Sequence, residues 1–324
     1  GDVKIVVKDK QGTKLAEFPA MVRVRKSADT LTAGERDRFL KAFAVLNAGG
    51  AGVFQSFRDT HTLATAAQAH GNAAFLPWHR AFLLDLEREL QRVQPSVALP
   101  YWRFDVPARK MFTADFIGAQ DLNTETAKFS PNNPLGQWST DGRPGIDRLA
   151  DFDTRTGHAA VIGEQTVVTF AGPFARLPRP FESNPHGQAH TSFFGFLRDL
   201  EMAARDPLFY LLHCNVDRLW AKWQWINQRM QPSGAANFGF EDNGTAVPEG
   251  QRPPGHNLAD EMWPWNNVKT APRPPFAPRH PFPGGVGVSA PAAKPKVRMM
   301  IDYQGIHDPA ARLGFDYDDV PFQP

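Results

Sequence analysis

Six of the ten histidines in this 324-residue chain fall into two groups of three, His61, His70 and His79 in the first and His186, His190 and His213 in the second. A neutral imidazole offers one lone-pair nitrogen to a cation. Three imidazoles per ion, with no thiolate and no obvious carboxylate, suit copper or zinc; magnesium and calcium prefer oxygen ligands, and iron–sulfur clusters need cysteines. A single inward histidine, or a lone His-x-x-x-His pair such as His186 and His190, is more often a hydrogen-bonded core residue than a ligand. Six together read differently, because each buried imidazole left without a partner costs about 1–3 kcal/mol. The spacing leaves zinc and copper both open. Two all-histidine sites facing each other across a helical bundle point to a binuclear centre that holds a small molecule between two ions.

Two stretches must do most of the positioning. Residues 75–82 and 206–220 each place a proline, Pro77 and Pro207, at the expected first helical position, where the missing N–H costs nothing. From His79 the residues Phe82, Leu83, Leu86, Leu90 and Val93 recur at helical spacing, with Asp85, Arg88, Glu89 and Arg92 on the other side. This predicts a helix from Pro77 to about Val93 with His79 inward. The same walk from Phe209 meets His213, Val216, Trp220 and Trp223, on a helix capped by Asp206 and running to about Met230. Asn184 before Pro185 repeats the cap-and-proline device and sets His186 and His190 one turn apart on one face. Thr32 and Glu35 form a capping box that opens a helix over 33–47, stopped by Gly49 and Gly50. Phe54, Phe57 and His61 continue a second helical face, and residues 64–69 are good helix formers leading to His70, broken at Gly71 and Asn72. Short strands are expected at 3–7, 21–25, 166–170 and 296–303. Periodicity fades between 105 and 182, and residues 232–295 form a Pro- and Gly-rich connection.

Composition excludes several function classes. With 36 basic and 34 acidic residues and a net charge of +2, the chain has no field to gather nucleic acid or an anionic membrane surface. No apolar run is long enough to span a bilayer, and the first residues lack the basic and apolar regions of a signal peptide. The expectation is a soluble protein, cytoplasmic or exported with its signal removed. The single cysteine, Cys214, excludes an internal disulfide and a cysteine-rich metal cage. One large domain over 1–324 is expected, and the sequence carries no signature of a particular oligomeric state.

Residues 75–82 and 206–220 closely resemble the two copper-binding signatures of the tyrosinase and catechol oxidase family, the type 3 copper proteins. The resemblance spans about residues 24–319. It implies a mainly α fold in which a four-helix bundle holds a dicopper centre, wrapped by long loops and a few short peripheral strands. It makes His61, His70 and His79 ligands of the first copper and His186, His190 and His213 ligands of the second, with dioxygen as co-substrate. The implied reaction is oxidation of small phenolic substrates, o-diphenols, to o-quinones; hydroxylation of monophenols is expected to be weaker. Phe209, one turn before His213, matches an aromatic that packs over the site. Asp217, one turn after it, is expected to orient a ligand, the plainer alternative being an ion pair with Arg218 or Arg80. Glu182 matches a glutamate that holds a water near the second copper and accepts a phenolic proton. Thr191 joins the substrate pocket. Gly187 stands where many efficient tyrosinases have asparagine, which is the ground for expecting weak monophenol hydroxylation. Ala69 replaces a cysteine that some relatives crosslink to a ligand, so no thioether is expected. Residues 313–317 resemble the aromatic motif that closes the catalytic domain, and Arg25 the arginine packed against it. The chain ends soon after, so the C-terminal shielding domain of latent relatives is expected to be absent. The other readings are an o-aminophenol oxidase and a haemocyanin-like oxygen-binding protein.

Overall fold

The computed structural model describes residues 2–21, 23–50, 52–61, 68–71, 73–160, 164–172, 174, 181–233, 235–238, 257–262, 265 and 296–320. Its helices include α1 (Ala33–Leu46), α2 (Phe54–Thr60), α3 (Phe75–Val93), α4 (Glu164–Val168), α5 (Gln188–Thr191) and α6 (Pro207–Ile226), with a further single turn at Ala235–Phe238. The long α3 and α6 pack on each other, α1 packs on α3, and α4 on α6. The strands form two-stranded ladders: β1 (Asp2–Lys8) with β2 (Lys14–Met21), β3 (Val24–Arg25) with β10 (Asp316–Tyr317), β4 (Ala119–Asp121) with β5 (Thr126–Lys128), β6 (Ser139–Thr140) with β7 (Arg143–Pro144), and β8 (Arg148–Ala150) with β9 (Phe193–Gly195). This is the mainly helical fold expected, with His79 and His213 on the two long helices and the other four histidines on or beside short helical pieces.

Local chemistry accounts for the helices. Thr32 accepts the Glu35 amide and Glu35 accepts the Thr32 amide, so the capping box of α1 is formed, and Phe39, Leu40, Phe43 and Leu46 enter the core. Gly49 and Gly50 end that run with φ of +63° and +78°. A Cβ on Gly50 would lie 2.5 Å from the Ser139 hydroxyl, so glycine is needed there. Asp206 accepts the Leu208 amide at 2.8 Å and caps α6, with Pro207 in its first turn.

Several local expectations are corrected. α3 starts at Phe75, two residues before Pro77, which still lies in the first turn where no N–H is needed. Asp85 and Arg88 are buried, not on a solvated face, and Trp265 donates to Asp85 at 2.7 Å. Residues 166–170 do not form a strand: Thr169 bonds back to the Gln165 carbonyl through both its amide and its hydroxyl, and the segment is helical. The segment near 296–303 contains a 3₁₀ turn, Val297–Met300. Two of its carbonyls go to side chains, Arg80 bonding Met300 and Gln224 bonding Ile301, and others to local backbone amides; among the described residues, strand-like pairing is limited to a single bridge between Lys296 and Glu261. In β3 the buried residue is Arg25, and Arg23 beside it is buried too. The helical reading of residues 64–67, the break at Asn72 and most of the 232–295 connection lie outside the described residues.

Candidate metal centre

Each histidine is placed by a different device. His61 caps the C-terminus of α2, its amide reaching the Phe57 and Arg58 carbonyls at 3.2 Å. His70 follows a short helical piece and precedes Gly71, which has a φ of +72°. His79 lies one turn into α3 and His213 in the second turn of α6. His186 belongs to a wide turn, Glu182–Gly187, and His190 to α5. Asn184 has extended dihedrals, but its Oδ1 makes no hydrogen bond, so the expected side-chain cap is not formed.

The six side chains come together as two triads. Ligand-capable atoms of His61, His70 and His79 all lie within 4.8 Å of one another, and so do those of His186, His190 and His213. The triads meet where the rings of His79 and His213 stack, with centroids 4.1 Å apart and planes 13° from parallel. His70 and His190 are the half-buried members, which places solvent access on their side.

The protonation pattern tests whether a cation fits. The Nδ1–H groups of His79, His186 and His190 donate to the carbonyls of Phe75, Glu182 and Leu197 at 2.8, 2.9 and 2.8 Å. With that tautomer fixed, each of these rings turns a bare lone pair on Nε2 away from its carbonyl. In the second triad the Nε2 atoms of His186 and His190 both face Nε2 of His213 at 3.2 Å. One hydrogen on His213 can serve only one of them, and its Nδ1 has no partner. In the first triad His79 Nε2 and both ring nitrogens of His61 are buried without hydrogen bonds. Converging lone pairs in a buried site are what a bound cation relieves. Burial, reinforced by the neighbouring imidazoles, holds His61 down to about 3, and burial holds His190 down to about 4. Burial likewise keeps His79, His186 and His213 well below the usual histidine range. The rings are therefore neutral donors at ordinary pH.

Around the triads the candidate residues separate. Phe209 touches both, its ring centroid 4.5 Å from His61 and 4.3 Å from His213. Glu182 links them: both carboxylate oxygens accept the Gly71 amide at 3.0 Å, and its carbonyl accepts from His186. Burial pushes its carboxyl up to about 7, against the lowering effect of the Gly71 amide. A Cβ on Gly187 would stand 3.0 Å from that same Glu182 carbonyl. Thr191 is exposed at the end of α5 and bonds back to Gln188. Asp217 orients no histidine; its oxygens are taken by Arg80, Arg25 and Tyr317, because buried guanidinium groups need a carboxylate. Phe75 packs at 5.0 Å from His79 and 4.9 Å from His186, a role not read from the sequence. The signal was there, since Phe75 precedes His79 by one turn as Phe209 precedes His213.

Among the described residues no helix is long and apolar enough to cross a membrane. A family model described as the common central domain of tyrosinase matches residues 51–226. The tyrosinase of Streptomyces glaucescens is 33% identical over 279 residues, covering 76% of this chain and 94% of its own. That of Streptomyces antibioticus is 29% identical over 279 residues, with the same coverage of 76% and 94%. Among solved structures, deoxygenated hemocyanin from Rapana thomasiana superimposes with a TM-score of 0.62 over 93% of this chain and 71% of that chain, at 22% identity, a likeness of fold.

Proposed function

Because the chain belongs to the tyrosinase family, we propose that its two triads each hold a copper ion and that the protein oxidises o-diphenols to o-quinones with dioxygen. His61, His70 and His79 hold the first ion, and His186, His190 and His213 the second. The observation that carries the reading is the convergence of bare imidazole nitrogens in two adjoining, buried triads. Copper held by neutral nitrogen ligands supplies reversible one-electron chemistry at each of two sites, so that two catechols give two quinones while one dioxygen becomes two waters.

The chain's own groups set the rest. The carbonyls of Phe75, Glu182 and Leu197 fix the tautomers that direct Nε2 inward. Phe209 and Phe75 wall the centre with aromatic surface, which excludes water and favours a flat aromatic ring. Glu182, with a carboxyl near 7, is the group suited to take a phenolic proton on an Oε atom. The side of His70 and His190 admits the substrate.

The test is oxygen uptake by copper-loaded protein with a simple catechol, against a copper-stripped control. Copper-dependent uptake with quinone formation is expected. Reversible oxygen binding without turnover would assign an oxygen carrier instead.

A further inference from the structure

His79, His186 and His190 are each oriented by a carbonyl on Nδ1, but neither ring nitrogen of His61 has a hydrogen-bond partner. Its position therefore depends on the backbone of α2 and on non-directional packing against the rings around it, Phe209, Trp78 and Phe82 among them, with the Leu200 backbone nearby. That helix is only seven residues long, and its N-cap residue Val53 makes no side-chain cap bond. Helices this short do not hold themselves in water, so α2 must be held by what it touches.

One turn before His61, Arg58 is 3% exposed, and its Nη2 lies 2.8 Å from Oδ1 of Asp141. The other Asp141 oxygen lies 3.3 Å from Nε of Arg205, the residue before the Asp206 cap of α6. Asp141 and Gly142 form the two-residue turn between β6 and β7, with φ of +52° and +77°. An Asp-Gly pair suits a turn of that hand. The hairpin is itself fixed. Asn47 donates to the Ser139 carbonyl at 3.0 Å, the Trp138 indole donates to the Arg205 carbonyl at 3.2 Å, and its ring packs on Phe43 and Phe54. Asp141 is thus an acidic group on a braced tip, spanning the helix that ends at His61 and the start of the helix that carries Phe209 and His213.

We infer that Asp141 is a positioning residue for the first triad, holding α2, and with it His61, in register with α6 through Arg58. The inference rests on the reading of that triad as a copper site.

The experiment uses Asp141→Asn, which keeps a residue favoured in this turn and removes only the charge. Copper titration of the metal-free protein against a competing chelator is expected to show one of two sites weakened about tenfold, the lower range for a residue supporting a ligand, with the other unchanged. Carbethoxylation of the metal-free protein, mapped by mass spectrometry, is expected to find His61 modified faster than in the wild type and His213 at the wild-type rate. The second measurement needs no metal, so it separates this inference from the copper assignment. Wild-type His61 reactivity in the variant, or an equal rise at His61 and His213, would overturn the positioning role. Wild-type protein that takes up no copper would overturn the copper reading beneath it.

Discussion

Arg80 donates from Nε to Oδ1 of Asp217 at 2.6 Å, across the interface of α3 and α6, one residue beyond His79 and four beyond His213. The other oxygen of Asp217 receives Arg25 at 3.0 Å and the Tyr317 hydroxyl at 2.5 Å, and all four residues are buried. Arg25 also pairs with Glu87 and lies over the ring of Phe315 at 3.8 Å. One carboxylate thus ties the two central helices to the segments at both ends of the described chain. Removing it leaves the Arg80 guanidinium buried without its ion-pair partner, while Arg25 keeps Glu87; breaking one buried pair in this way costs about 3–5 kcal/mol. Asp217→Ala is expected to lower the unfolding free energy by about that amount in urea denaturation. A loss below about 1 kcal/mol would mean that the arginines are satisfied elsewhere.

The parts legible in the sequence were those specified by local chemistry. The caps at Thr32 and Asp206, the periodicity of α1, α3 and α6, and the grouping of histidines all involve residues a few positions apart. What escaped was set by distant partners. Arg25 packs against Phe315 and Tyr317 as expected, but its pairing with Glu87 and Asp217, and the burial of Arg23 beside Glu87, depend on partners supplied by other elements. Asp217 sat at the right spacing to serve His213, and only the fold shows Arg80 and Arg25 competing for it. Residues 296–303 had strand character, but side chains of α3 and α6 occupy carbonyls that a ladder would have used.

The depressed imidazole values give a signed pH dependence for the metal-free protein. His61 at about 3 and His190 at about 4 lie below the free value of 6.5. Between those values and 6.5 the unfolded chain binds protons that the folded chain refuses. Their stability is full above pH 6.5 and falls as the pH drops toward 4, by about 1.4 kcal/mol per pH unit for each histidine. Glu182 acts in the opposite sense: raised from 4.5 to about 7, it favours the fold below 4.5 and loses that contribution as the pH climbs to 7. Asp85, raised by burial to about 7, and Asp316, raised by burial to about 6, act as Glu182 does, and burial raises Asp59 and Asp206 in the same sense, so the five depressed imidazoles are partly offset. Because the imidazoles carry the larger shifts, denaturant midpoints of metal-free protein are expected to fall from pH 6.5 to 4.5, and the fall should shrink in His61→Ala. A flat profile there would mean that the rings are hydrated in solution.

Gly187 offers a test of the balance between monophenol and diphenol chemistry. Its φ of −59° is open to any residue, and the obstacle is the Glu182 carbonyl 3.0 Å from a new Cβ. Gly187→Asn adds an amide beside the carboxylate suited to take the phenolic proton. It is expected to raise the monophenol rate relative to the diphenol rate by up to about a hundredfold, the lower range for a positioned base. Gly187→Ala introduces the same crowding without the amide and should leave the ratio unchanged. Equal ratios in both variants and the wild type would remove this position from control of the reaction.

His79→Ala and His213→Ala remove one stacked ring from each triad, with separable effects on fold and on function. In the metal-free protein His79 Nε2 and His213 Nδ1 have no hydrogen-bond partners, so deleting either ring also deletes an unsatisfied buried atom. The remaining cost is packing, about 1–3 kcal/mol for the space left behind, and cooperative unfolding should persist. The metal-loaded protein behaves differently, because a ligand that binds only the folded state adds about 4 kcal/mol at a free concentration a thousand times its Kd. Wild-type protein is therefore expected to carry two copper ions per chain and to lose several degrees in Tm on chelation. Each variant should retain at most one ion, respond less to the chelator, and consume no oxygen with catechol. Catechol oxidation surviving in either variant would refute the assignment of that histidine, whereas loss of oxidation with copper content still at two would shift its role from holding the metal to handling the substrate.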